Sequence, residues 1–217
     1  KEQVGLIMAR EGLPFVATSI ALAAASWGMG HIFPFINYCI GLFGLLTCFM
    51  IFFFRDPRRT PPERIGAVVS AADGKVIEIQ PVEEDYLDGT GTRISVFLSP
   101  FDVHINRIPF EGRVDFVERL QGEFQAAYRP NASSKNEQSV IGISNGSTKV
   151  IVKQIVGVLA RRIACYLSEG DEVSLGEKFG LIRFGSRVDH LLPNSVRITI
   201  GVGDRVKAGE TIIGVFE

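Results

Sequence analysis

The sequence predicts a mainly β domain, a sandwich or barrel, preceded by an N-terminal hydrophobic helical membrane anchor. Three observations lead there. No Asp, Glu, Lys or Arg occurs from Gly12 to Phe54. Beyond Arg55, short alternating apolar runs are separated by Gly and Asp. One Gly-Asp-x-Val turn sequence then occurs twice in the last third of the chain.

The uncharged block falls into two segments, Leu13 to Trp27 and Ile32 to Phe54, interrupted by Gly28, Gly30, His31 and Pro34. A helix crosses a bilayer core with about 20 apolar residues. The second segment meets that length and the first approaches it. A Gly-rich turn between them makes a helical hairpin over residues 1–59 and returns the chain to its starting side. His31 at the turn reads as an interfacial residue. Lys1 and Arg10 precede the block, and Arg55, Arg58 and Arg59 follow it. The positive-inside rule puts both flanks in the cytoplasm. The block is too long for a signal peptide, and no small-residue cleavage site precedes the basic cluster. Insertion into a single leaflet is the alternative to spanning.

Thr60-Pro61-Pro62 marks the change to a second domain, 60–217. Lys75-Val-Ile-Glu-Ile79, Arg93-Ile-Ser-Val-Phe97, Lys149-Val-Ile-Val152 and Arg197-Ile-Thr-Ile200 read as strands bounded by turns. Gln154 to Leu167 is ambiguous between helix and buried strand. Gly170-Asp-Glu-Val-Ser-Leu-Gly176, followed by Gly180, matches Gly203-Asp-Arg-Val-Lys-Ala-Gly209, followed by Gly214. Asp73-Gly-Lys-Val76 and Glu111-Gly-Arg-Val114 form a weaker pair. In each, Gly supplies a positive φ and Asp hydrogen-bonds the turn backbone. These repeats resemble the hammerhead turns of lipoyl and biotinyl carrier domains, so the architecture expected is a hammerhead, lipoyl-like β-sandwich or barrel. The Met-Lys-Met and Asp-Lys-Ala tripeptides of carriers do not occur, which argues against a carrier function.

Charge and cysteine content narrow the function. The 23 basic and 24 acidic side chains nearly cancel and give no basic field for nucleic acid. Cys39, Cys48 and Cys165 have no C-x-x-C spacing and read as reduced thiols rather than as a disulfide or metal framework; no metal site is expected. A G-x-S-x-G elbow, a Walker loop and an H-E-x-x-H helix are all missing from the sequence.

Four stretches remain as carriers of chemistry. They are Ser70-Ala-Ala-Asp-Gly-Lys-Val76, Phe97-Leu-Ser-Pro-Phe-Asp-Val-His-Ile-Asn-Arg-Ile-Pro109, Ala132-Ser-Ser-Lys-Asn-Glu-Gln138 and Phe179-Gly-Leu-Ile-Arg-Phe-Gly-Ser-Arg-Val-Asp189. Each alone has a plain structural reading: a turn, a packed histidine, a solvated loop, a common dipeptide. Together, and in this order, they resemble the phosphatidylserine decarboxylases in their short bacterial and archaeal form. Phe54-Arg-Asp-Pro57, Gln154-Ile-Val-Gly157 and Ala160-Arg-Arg-Ile163 extend the resemblance over nearly the whole chain. Arg183-Phe-Gly-Ser-Arg-Val-Asp189 looks like the family's Gly-Ser processing site, with the Phe and Arg neighbours usual for the short form.

The resemblance implies that the chain is a proenzyme cut between Gly185 and Ser186. The Ser186 hydroxyl attacks the preceding carbonyl and turns the amide into an ester. β-Elimination and hydrolysis then leave a pyruvoyl group, the covalent cofactor, at residue 186. The products are a large chain, 1–185, and a small one, 186–217, which stay associated. The pyruvoyl carbonyl forms a Schiff base with phosphatidylserine, carbon dioxide is lost, and phosphatidylethanolamine is released. The implied partners are the phospholipid and the membrane, with homodimerisation a further implication and no role for nucleic acid. The implied place is the inner cell membrane, with the catalytic domain on the cytoplasmic face.

Within that scheme His104 is the acid–base candidate near neutral pH, and Asp73 is expected to hold its tautomer, as a carboxylate does in a serine triad. The longer members carry a second His where this sequence has Arg107. Arg107, Lys135 and Asn136 are the candidates for the substrate's phosphate or carboxylate. The alternatives are a pyruvoyl enzyme for archaetidylserine or a soluble amino acid, a non-enzymatic lipoyl-like binding module, and a membrane scaffold.

Overall fold

A computed structural model describes residues 8–129, 131–146, 148–158, 162–183 and 185–216. Phe184 and the Ala160-Arg161 pair, both parts of the quoted motifs, lie outside the described residues. The chain divides into two compact units, Lys1–Arg58 and Arg59–Glu217.

The first unit is a helical hairpin. Helix α1 (Leu13–Gly30) opens with Pro14 in its first turn, where the missing N–H is no loss. Helix α2 (Asn37–Phe53) follows a short turn of 3-10 helix at Pro34–Ile36. With their leading turns the two apolar helices run 21 and 20 residues, about 30 Å each and enough for a bilayer core. Leu13, Ile20, Trp27, Leu42 and Leu45 are exposed along them, the pattern of helices that meet lipid rather than a protein core. Hydroxyl groups on the helices find partners within the hairpin. Ser26 and Thr18 donate to carbonyls one turn back, and the Thr47 hydroxyl donates to Ser19 Oγ at 2.9 Å across the pair. The Ala9 N–H closes the open end on the Phe54 carbonyl at 2.8 Å.

The second unit is β throughout, as expected. Its strands are β1 (Ala67–Val69), β2 (Gly74–Glu84), β3 (Gly89–Leu98), β4 (Ile105–Arg107), β5 (Gly112–Leu120), β6 (Gln138–Asn145), β7 (Thr148–Ile155), β8 (Ile163–Cys165), β9 (Glu172–Val173), β10 (Lys178–Ile182), β11 (Ser186–Pro193), β12 (Val196–Ile198), β13 (Arg205–Val206) and β14 (Ile212–Phe216). One helical turn, α3 (Ala132–Lys135), interrupts them. Among the described residues they form an eight-stranded sheet, β13-β2-β3-β11-β7-β6-β5-β9, and two three-stranded sheets, β4-β10-β8 and β1-β14-β12. Every pairing is antiparallel. The segment from Gln154 to Leu167 is no helix where described: it finishes β7 and supplies β8. Ile155 and Val156 are fully buried, Ile163 is half-buried and Val158 is exposed.

The large sheet curls around one core. Val76, Ile94, Val96, Leu98, Ile141, Ile143, Val150, Val152, Val188 and Leu192 point inward from it, and Val68, Ile213, Phe179 and Ile182 meet them from the small sheets. Each such side chain contributes about 1.5–3 kcal/mol on leaving water.

The sequence repeat is a structural one. β13 pairs with the start of β2 through Val206 and Gly74, and β9 pairs with the start of β5 through Val173 and Gly112. Thus each strong repeat hydrogen-bonds to a member of the weak pair. Asp171 and Asp204 each accept a hydrogen bond from the backbone N–H three residues earlier, at 2.8 Å. The two turns end against one another: a Cβ on Gly209 would lie 3.4 Å from the Gly176 Cα.

One buried polar side chain contributes a defined pH dependence to the fold. His190 is fully buried; its Nε2 accepts from the Ala71 N–H at 2.7 Å and its Nδ1 faces the Ile94 carbonyl at 3.3 Å. Burial pushes its pKa down from 6.5 to about 4. The unfolded chain therefore binds a proton that the folded one refuses between those values. Stability should be full above pH 6.5 and fall by about 3 kcal/mol as pH drops to 4. Urea denaturation at a series of pH values checks this, and His190→Gln should flatten the slope in that window.

Candidate active site

Ser186 is the first residue of β11, in the middle of the large sheet, opposite Leu98 of β3. It is fully buried, on the inward face with Val188 and His190. Its Oγ has no hydrogen-bond partner among the described residues. A hydroxyl in that state costs stability, so its presence asks for a reason other than packing. Gly185 precedes it with φ of +67°, a conformation that a side chain disfavours.

Two independent links carry His104 to the same end of the sheet. After Leu98 the chain turns at Ser99–Asp102, where the Asp102 carboxylate accepts from the Ser99 N–H (2.8 Å) and hydroxyl (2.6 Å). β4 then lies along β10, and the His104 carbonyl accepts from the Ile182 N–H at 3.4 Å. Residue 104 is thereby tied both to the strand opposite Ser186 and to the strand that leads into it. The ring is buried, with Nδ1 2.9 Å from the Asp102 carbonyl. That bond fits a proton on Nδ1 and leaves Nε2 as the basic nitrogen.

Asp73 was expected to fix this tautomer, and here the Asp102 carbonyl does so. One Asp73 oxygen pairs with Arg59 at 2.7 Å and the other accepts from the Ala208 N–H at 2.8 Å. Burial nevertheless holds the Asp73 carboxyl above its ordinary value, against the pull of Ala208 and Arg59. Arg59, read from sequence as a membrane flank, spans Asp73 and Glu210. It therefore serves the β unit.

The three residues expected to bind substrate fall in different places. Asn136 is buried, and its amide donates at 2.8 Å to the Gln125 and Val156 carbonyls while its oxygen accepts from the Gln125 N–H at 3.1 Å. These bonds give Asn136 a bracing role between two backbone segments. Arg107 is likewise buried beneath the paired hammerhead turns and donates to the Gly176 carbonyl at 3.0 Å. Lys135 is exposed at the end of α3.

Sequence reasoning passed over the outer face beneath the junction. Arg187, next to Ser186 and pointing the other way, is 1% exposed and fully paired: Nε to Asp189 at 2.6 Å, Nη2 to Glu78 at 2.8 Å and to Ser95 at 2.5 Å. Ser133 of α3 donates to the other oxygen of Asp189. Alternation along β11 was the available signal, since it puts 187 and 189 on the face opposite 186 and 188. Beneath the site a chain of buried amides runs from Gln154 Nε2 to Asn106 Oδ1 (2.8 Å).

Because Asn136 ties Gln125 to Val156, Asn136→Ala should lower the unfolding free energy by about 3 kcal/mol, measured by urea denaturation. An unchanged midpoint would count against the bracing role.

The profile of the family described as phosphatidylserine decarboxylase matches residues 46–214. The phosphatidylserine decarboxylase proenzyme of Chlorobium limicola is 41% identical over 207 residues, covering 94% of this chain and 98% of the relative. That of Geobacter metallireducens is 41% identical and covers 96% of both chains. That of Salinibacter ruber is 46% identical over 187 residues, 83% of this chain and 80% of the relative. With a family match over most of its length and relatives well above 30% identity, the chain belongs to the phosphatidylserine decarboxylase family and is a carboxy-lyase.

Proposed function

We propose that this enzyme makes its own cofactor by breaking the chain between Gly185 and Ser186, and then decarboxylates phosphatidylserine at the cytoplasmic surface of the cell membrane. The observation that carries the reading is the Ser186 hydroxyl, buried and without a hydrogen-bond partner among the described residues, behind a positive-φ glycine at the head of a central strand. Such an oxygen is desolvated and set beside the carbonyl that it must attack.

In the first step Ser186 Oγ bonds to the Gly185 carbonyl carbon, the amide C–N bond breaks, and the Ser186 nitrogen takes the proton. The result is an ester isomeric with the peptide. Removal of the Ser186 α-proton then breaks the Cβ–Oγ bond and frees the Gly185 carboxylate, and water hydrolyses the remaining dehydroalanine to the pyruvoyl group with loss of the Ser186 nitrogen as ammonia. His104, with Nδ1 held by the Asp102 carbonyl, is the proposed base, its Nε2 accepting and returning protons at Ser186. Asp73, fixed by Arg59 and Ala208, is proposed to tune the charge at that end of the sheet. Arg107 and Lys135 keep only a weaker, unplaced claim on the substrate headgroup.

The buried, unpaired position at 186 fits a pyruvoyl group, which supplies an electron sink for the bond to the departing carbon dioxide. The protein's own tasks are then to exclude water from residue 186 and to deliver a proton to the substrate carbon, the latter assigned to His104. The apolar helices keep the enzyme at the bilayer, where a diacyl substrate resides. Phe101, 69% exposed on the turn that leads to His104, adds an apolar contact for a lipid.

Intact-mass measurement with a carbonyl-reactive probe tests the reading directly. The parent protein should give a fragment beginning at residue 186 that carries a reactive carbonyl, and Ser186→Ala should give one uncut chain. Two chains from Ser186→Ala would overturn the assignment. His104→Ala should slow processing or turnover by about 10²–10⁴-fold. Phosphatidylserine should be consumed in preference to free serine.

A further inference from the structure

We propose that Gly157 is a positioning residue for chain cleavage: its missing side chain is the space that the Gly185 carbonyl occupies. This rests on the proposed cut between Gly185 and Ser186. β7 and β11 pair in register up to Ile155 and Arg187, and continuing that register sets Gly157 opposite Gly185. A Cβ on Gly157 would stand 2.2 Å from the Gly185 carbonyl oxygen and 3.4 Å from the Ala127 Cβ. Real Cβ contacts essentially never fall under 3.0 Å, so one partner would have to move by roughly 1 Å, a displacement that can cost about 100-fold in rate at a reacting centre.

The structure indicates which partner would move. The Gly157 side is braced: the Val156 carbonyl accepts from Asn136 Nδ2 at 2.8 Å, and the Val156 N–H donates to the Glu137 carbonyl at 3.1 Å. The Gly185 side has room, since among the described residues outside its chain neighbours a Cβ on Gly185 would meet nothing within 4 Å. A methyl at 157 would therefore push the scissile carbonyl away rather than displace the wall. The two glycines thus have different duties. Gly185 is needed for its φ, and Gly157 for the room that it leaves beside the carbonyl oxygen, where charge develops when Ser186 Oγ adds to the carbon.

Gly91 supplies a matched control. A Cβ there would stand 2.4 Å from the Leu192 carbonyl, the same kind of backbone clash in the same sheet, at the far end of the β3–β11 pair from the junction. The full-length precursors of the parent, Gly157→Ala and Gly91→Ala are made, their folding is checked by near-ultraviolet circular dichroism, and appearance of the small chain is timed. Hydroxylamine, which cleaves esters and spares amides, is added to a second sample of each. We expect Gly157→Ala to be cut about 100-fold more slowly than the parent, with no hydroxylamine-labile bond at 185–186, and Gly91→Ala to be cut at close to the parent rate. Cleavage of Gly157→Ala at the parent rate overturns the proposal. So does equal slowing in Gly91→Ala, which would reflect general damage to the sheet, and so does ester accumulation in Gly157→Ala, which would place its effect after the first step. An uncut parent would instead remove the processing reading on which the proposal stands. Should Gly157→Ala not fold, the Ala127→Gly background gives the new methyl room on the wall side and carries the same comparison against Ala127→Gly alone.

Discussion

The insertion of β11 between β3 and β7 is the constraint on which the rest of the catalytic unit depends. Its first residue is Ser186, and its two ladders, with partners from Leu98 to Gly91 on one side and Ile155 to Ile151 on the other, leave that residue no freedom of register. A slip of one position would turn Ser186, Val188 and His190 outward and drive Arg187 and Asp189 into an apolar core. Arg187 guards against this from the opposite face through its contacts with Asp189, Glu78 and Ser95. Burying that ion pair costs solvation, and what it secures is a single register for the strand that carries Ser186.

The second determinant is convergence of loop ends. The start of β2, the end of β3, the start of β11 and the end of β7 meet at one edge of the sheet. Asp73, the Ser99–Asp102 turn, Ser186 and Gly157 therefore arrive together although they are far apart in sequence. One hammerhead repeat builds onto this end of the sheet. β13 closes on Gly74 and so holds Asp73 through the Ala208 N–H. Arg107 occupies the seam where the two repeats meet, a packing duty that accounts for its burial.

Much of this was legible in the sequence, and for clear reasons. The uncharged run before Arg55, the alternation of the strands and the doubled Gly-Asp-x-Val turn all depend on local patterning, and they located the helical hairpin, the β unit and the repeat. Ser186 and His104 stood out through the order of four short motifs. Side-chain partners were less legible. The sequence offers no way to see that Arg59 reaches Asp73, that the Asp102 backbone carbonyl meets His104 Nδ1, or that Asn136 ties two loop segments together. The first and third are tertiary contacts across 14 and 20 positions of chain, the second is a local turn contact, and residue type alone does not distinguish a ligand-binding amide from a bracing one.

The threading of residues 186–217 through the sheets bears on the lifetime of the enzyme. These residues supply β11 at the centre of the large sheet, β13 at its edge, and β12 and β14 in a small one. An uncut precursor that unfolds can fold again, because its segments remain joined. After the proposed cut, a molecule that opens releases a short peptide whose strands have lost their covalent tether. Re-forming the sheet would then be a bimolecular search by two aggregation-prone pieces. The mature enzyme's persistence would be governed by an unfolding rate and not by an equilibrium, so that maturation trades reversible folding for a one-time assembly.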